Sequence, residues 1–255
     1  MFEPDHAAAT AMPSPNHDER AGGARPDILL LHYTGMPDEQ DALRRLCDPA
    51  AKVSAHYLVF ENGHVAQLVP EARRAWHAGA GSWKGRGDIN SRSIGIEIAN
   101  PGHAGGLPEY PDRQIAAVIS LCADIVRRHA IAPRQVLAHS DTAPSRKEDP
   151  GEKFPWWRLA EAGIGHFVRP VTIRDGATLA RGAEGPTVLA LQRDLADYGY
   201  GIAPSGIYDA ETEIVVTAFQ RHFRPERVDG IADLSTLATL ADLLGPPGER
   251  NTATA

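Results

Sequence analysis

From residue 27 onward the chain alternates short apolar runs with amphipathic stretches. The apolar run Ile28 to Leu31 stops at His32 and a polar turn follows, which predicts a buried strand over 28–33. Similar runs predict strands at 56–60, 64–68, 93–99 and 135–139. Apolar residues spaced for one helical face predict helices over 38–47, starting near Pro37 or Asp38, and over 112–129, with Asp112 as N-cap. A third helix is predicted to begin near Trp156. "ENGH" at 61–64 reads as a hairpin turn, because Asn-Gly tolerates the positive φ that a tight turn needs. This order is that of an α/β domain over 27–168. Residues 1–26, rich in Pro, Ala, Gly and charge, are expected to be irregular.

Residues 169–182 carry Pro170, Gly176 and Gly182 without periodicity and read as a linker. Beyond it, "GIYDAET" (206–212) and "GIADLST" (230–236) repeat Gly, Ile, Asp and Thr at matching offsets. Each precedes a helical pattern, Ile214, Val215, Ala218 and Phe219 in one case, Leu237, Leu240 and Leu243 or Leu244 in the other. Asp209 and Asp233 are suited to cap them. An earlier helix carries Val188, Leu191 and Leu195. Residues 183–244 therefore read as a small, self-contained three-helix domain, and 245–255 as a disordered tail.

Composition adds exclusions. The chain has 255 residues, 42% hydrophobic and 23% charged, with a net charge of −7. A net negative surface does not favour nucleic acid or anionic membrane. No apolar run is long enough to span a bilayer. The start of the chain lacks a basic segment followed by an apolar one, so no secretory signal is expected, and the cytoplasm is the default location. The two cysteines, Cys47 and Cys122, fall on apolar helical positions and are expected to be buried free thiols. No CxxC occurs, so a metal site would have to use histidine and carboxylate.

Two histidines share one setting. His32 ends "LLLH" and His139 ends "VLAH", each where an apolar strand reaches its edge. Alone, such a histidine is more often structural than chemical. Asp149 follows His139 by ten residues, in "KEDPG", where Pro150 and Gly151 impose a turn. Two histidines and a turn-held aspartate make a donor combination that catalytic Zn2+ uses while leaving a position for water. In "SIGIEIAN", Ile94, Ile96 and Ile98 share one face and Gly95, Glu97 and Ala99 the other. Glu97 is then either a surface charge on an edge strand or a general base beside a metal. Lys147 is either a solvated loop lysine or a cation placed to stabilise a developing oxyanion.

The stretches "SPNHDER", "LLLHYTGM", "SAHYLV", "AWHAG", "NSRSIGIEIAN", "VLAHSD" and "KEDPG", in this order, resemble the N-acetylmuramoyl-L-alanine amidase family of the AmpD/AmiD type over residues 13–165. That family is related in fold to peptidoglycan-recognition proteins and phage T7 lysozyme, which implies a mixed central β-sheet flanked by helices. The resemblance implies zinc held by His32, His139 and Asp149, Glu97 as the proton-transfer group and Lys147 as the oxyanion stabiliser. Recognition-protein and phage relatives usually carry cysteine at the third ligand, where this chain has aspartate. One departure is Asp88, at a position where AmpD-type enzymes have an arginine; the nearest arginine is Arg86. "LQRDLADYGY", "GIYDAET", "AFQ" and "VDGIAD" resemble a peptidoglycan-binding domain of type 1.

The implied activity is hydrolysis of the amide between N-acetylmuramic acid and L-alanine of the stem peptide, with soluble muropeptides or peptidoglycan as partners. The wall-binding resemblance points to the cell envelope, against the default of cytoplasm. The rival is a muropeptide-recognition protein without activity, which the complete ligand set and Glu97 disfavour. A zinc peptidase of the HExxH kind is disfavoured because that motif is missing.

Overall fold

A computed structural model describes residues 2–246. Strands are β1 (Ala9–Ala11), β2 (His17–Glu19), β3 (Ile28–Tyr33), β4 (Tyr57–Val59), β5 (Val65–Gln67), β6 (Arg73–Ala75), β7 (Ser93–Ile98) and β8 (Val136–Ala138). Helices are α1 (Glu39–Cys47), α2 (Ile89–Arg92), α3 (Asp112–His129), α4 (His139–Thr142), α5 (Trp156–Glu161), α6 (Pro186–Tyr198), α7 (Ala210–Phe223) and α8 (Leu234–Leu244). Six strands form one sheet in the order β1-β5-β4-β7-β3-β8. Only the hairpin pair β4–β5 is antiparallel, so the sheet is mixed. Its turn is "ENGH", where Gly63 takes a φ of 85°.

Strand β3 is apolar from Ile28 to Leu31 because both of its faces are covered, whereas β7 alternates Ile94, Ile96 and Ile98 with Ser93, Gly95 and Glu97. Leu29 and Leu31, with Ile94, Ile96 and Ile98, pack against α3. Ile28 and Leu30 point the other way. They share a core with Leu137, Trp83 and the apolar faces of α6, α7 and α8. The three C-terminal helices thus do not stand apart from the sheet but help to bury its second face. Each repeat helix begins as its sequence implies, with the Asp209 carboxylate accepting from Thr212 N–H and Asp233 from Thr236 N–H.

Several expectations are corrected. Residues 1–26 are not irregular throughout: β1 adds a parallel edge strand beside β5, and β2 pairs antiparallel with β6. Polar groups rather than an apolar pattern tie this segment down. Ser14 donates to Leu46 O, Asn16 to Asp48 O and Val53 O, and the buried Arg20 guanidinium donates to Glu71 O, Ser91 O and Ser93 O. Helix α3 is capped at Pro111, whose side chain has no polar atom to accept a capping hydrogen bond, while Asp112 sits inside the helix and pairs with Arg158. Cys122 is buried, but Cys47 is only partly so; both are free. Most of the tail expected to be disordered, 247–255, lies outside the described residues.

Candidate active site

The register of the sheet does the first positioning. On adjacent parallel strands, His32 of β3 stands beside Glu97 of β7, so both side chains rise from the same face. His32 is the penultimate residue of its strand. His139 does not end a strand as expected; it opens the helical turn α4 directly after β8. Asp149 follows in a turn where Gly151 adopts a φ of 83°, a conformation that favours glycine.

These elements bring the three expected ligands together. His32 Nδ1 lies 2.9 Å from His139 Nδ1, and each lies 2.9 Å from Asp149 Oδ2. All three residues are buried. Hydrogen bonds on the far side of each ring decide what these atoms present. His139 Nε2 is 2.9 Å from the Ala78 carbonyl, so it must donate, leaving Nδ1 as a lone pair. For His32 the constraint passes through a relay. Ser93 donates to Ile89 O at 2.6 Å, so its oxygen accepts from His77 Nε2 at 3.3 Å. His77 Nδ1 then accepts from His32 Nε2 at 3.0 Å. His32 Nδ1 is left as a second lone pair. Two nitrogen lone pairs and a carboxylate therefore converge with no hydrogen between them, an arrangement that a divalent cation satisfies.

The electrostatics agree. Burial, then the neighbouring His139, pushes the His32 imidazole down to about 4, and burial holds His77 well below its ordinary value. Both rings are neutral at physiological pH. Burial alone would raise Asp149, but His139 and His32 hold its carboxyl well below the usual range.

Sequence reasoning gives His77 no role. Its signal is the gap opposite: a Cβ on Gly95 would come within 2.5 Å of the His77 ring, so the glycine in "SIGIEI" makes room for it. His56, which is buried, lies behind it and accepts a hydrogen bond from Gly95 N–H.

Glu97 and Lys147 line one cavity of about 210 Å3, together with Thr34, Arg45, Trp76 and His77. Burial, then the Asp149 charge, raises the Glu97 carboxyl well above its ordinary value, and Lys147 pulls it back. Among the described residues, Glu97 Oε2 and Trp76 Nε1 are buried without a hydrogen-bond partner. Unmet polar atoms of this kind are the ones that a bound substrate or water satisfies. A neighbouring cleft of about 460 Å3 is lined by Tyr33, Arg146, Lys147 and Asp149 on one side and by Thr217 and Arg221 of α7 on the other. Asp88, the departure noted in the sequence, caps α2 and pairs with Arg74.

Residues 22–152 match the family described as N-acetylmuramoyl-L-alanine amidase, and residues 184–240 match a peptidoglycan binding domain family. The chain is 40% identical over 244 residues to N-acetylmuramoyl-L-alanine amidase AmiD of Escherichia coli K12, covering 90% of this chain and 86% of that protein. It is 33% identical over 170 residues to 1,6-anhydro-N-acetylmuramyl-L-alanine amidase AmpD of Citrobacter freundii, covering 60% and 89% of the two chains. A solved complex of E. coli AmiD with the substrate anhydro-N-acetylmuramic acid-L-Ala-D-γ-Glu-L-Lys superposes with a TM-score of 0.73 at 39% identity, over 89% of this chain and 91% of the other. AmpDh3 from Pseudomonas aeruginosa, in complex with an anhydromuramic pentapeptide, gives 0.70 at 31% identity, over 94% and 96%.

Proposed function

The chain belongs to the N-acetylmuramoyl-L-alanine amidase family, and from that premise we propose that it is a zinc hydrolase cleaving the amide between N-acetylmuramic or anhydro-N-acetylmuramic acid and L-alanine of the stem peptide, in wall turnover or recycling. The observation that carries the metal reading is the convergence of His32 Nδ1, His139 Nδ1 and Asp149 Oδ2 as three acceptors with nothing to donate. The solved AmiD and AmpDh3 complexes support anhydro-muropeptides as ligands. The match of residues 184–240 supports polymeric peptidoglycan as a second partner.

When bound, Zn2+ supplies Lewis acidity, which lowers the pKa of water to about 7 and polarises a carbonyl. The protein supplies the rest. Glu97, raised by burial, takes a proton from the attacking water and returns it to the leaving L-alanine nitrogen; a raised carboxyl is suited to both steps near neutral pH. Lys147, on the same cavity wall, stabilises negative charge developing on the scissile oxygen, a contribution of about 2.7–4 kcal/mol for one well-placed donor. Arg45, Trp76 and Thr34 line the cavity and hold the substrate against these groups.

Glu97→Ala tests the assignment. The variant should keep its zinc and lose about 10²–10⁴-fold in turnover of an anhydro-muropeptide, read as the release of peptide with a free L-alanine amine. Near-normal turnover, or loss of the metal with the side chain, would contradict the role given to Glu97.

A further inference from the structure

We infer that the C-terminal domain is part of the support of the metal centre: Tyr200, just after α6, and His222 of α7, acting through Asp141, fix the helical turn that carries one of its three ligands and is hydrogen-bonded to a second. This rests on the zinc reading above. Asp141 lies in α4, two residues after His139, and is 0% exposed. Among the described residues of its own domain, its carboxylate accepts only the Ala138 N–H, at 2.8 Å. Its other partners come from the C-terminal domain, Tyr200 just after α6 and His222 in α7. Tyr200 donates to Oδ1 at 2.7 Å, and His222 Nδ1 lies 2.7 Å from Oδ2. A buried carboxylate deprived of these donors would be costly, so the turn and the helices are tied together.

Both donors are themselves held. The His222 ring stacks between Trp156 of α5 and Phe223, with centroids 3.8 Å away on each side. Tyr200 packs edge-on against Trp83 at 5.2 Å. Trp83 lies so close to the backbone at Gly199 that a Cβ there would come within 2.6 Å of its ring. Lys84 N–H donates to Gly199 O at 2.8 Å across the same contact.

The turn pinned in this way reaches two ligands. His139 is its first residue. Its second, Ser140, donates its N–H to the Asp149 carbonyl at 3.1 Å. Moving α4 would therefore shift His139 and Asp149 together relative to His32, which is held in β3 between β7 and β8. Tyr200 and His222 are positioning residues. They touch no ligand atom, and their effect passes through Asp141.

The test is zinc affinity, measured by competition with a chromophoric chelator, on full-length protein. The variant carrying both Tyr200→Phe and His222→Leu should remain folded by circular dichroism and bind zinc about tenfold or more weakly, in the range that loss of supporting contacts around metal ligands produces. His222→Asn, which keeps an N–H near the Nδ1 position, should bind zinc like the wild type. A folded double variant with unchanged affinity would overturn the inference. Should the double variant fail to fold, hydrogen exchange on the wild-type protein decides. Linkage requires that zinc protect residues 198–200 and 210–223 if they support its site. Equal exchange there with and without zinc would overturn the inference. A wild-type chain that takes up no zinc would instead remove the metal reading, and this inference with it.

Discussion

At the scale of single residues, the site depends on imidazoles kept neutral inside the protein. Burial, then the Arg20 charge, takes His56 down to about 3, and His32 lies at about 4. In the unfolded chain each would take a proton near its ordinary value of about 6.5. Between those values the unfolded state binds more protons, so stability falls as pH drops from 6.5 toward 4. Glu97 works in the opposite direction, because its raised carboxyl binds a proton in the folded state first. Zinc-free Glu97→Gln protein removes that opposing group. Its unfolding free energy should fall by about 2 kcal/mol per imidazole between pH 7 and pH 5. Urea titrations at the two pH values check this, and equal stabilities would show that these rings are not held neutral. His32, His139, Asp149 and Glu97 are legible as candidates because apolar runs closing on histidine, a Pro-Gly turn and a charge among small residues are all local signals. His77 is not, because its role comes from a relay through Ser93 and His32 that only the fold assembles.

At the scale of elements, β3 is readable because its apolar run Ile28–Leu31 is unbroken, and β7 because Ile94, Ile96 and Ile98 recur at period two. The register that sets His32 beside Glu97 is not written in either strand alone. Strands β1 and β2 are hidden in the sequence because side-chain hydrogen bonds to distant carbonyls hold them, and such bonds leave no periodic trace. His139 looks like a strand terminus in the sequence, although the same apolar run passes directly into α4. The fit of β7 against His77 makes a sharp prediction. In Gly95→Ala the new methyl meets the ring at 2.5 Å. The ring must move, breaking its bond to His32. Overpacking of this kind costs about 1–3 kcal/mol, and zinc affinity should fall with it. Thermal melting and chelator competition measure the two effects, and wild-type values in both would contradict the relay.

At the scale of the whole molecule, the repeat in residues 183–244 announces three helices but not where they dock. Apolar positions such as Val188, Leu191 and Phe219 look alike whether they face one another or the sheet, and here they join one core with Ile28, Leu30, Leu137 and Trp83. A chain ending at residue 168 would expose those four buried side chains. It should melt at lower temperature and lose activity on small soluble muropeptides, together with any retention on insoluble peptidoglycan. Full activity on the small substrate with loss of retention alone would mean that the helices serve only as an anchor. The zinc-hydrolase proposal as a whole stands on the three converging acceptors, and elemental analysis of purified protein tests them most directly. The wild-type chain should hold one zinc after dialysis, and the chain carrying both His32→Ala and His139→Ala should hold essentially none. Full zinc retention in that double variant would contradict the site.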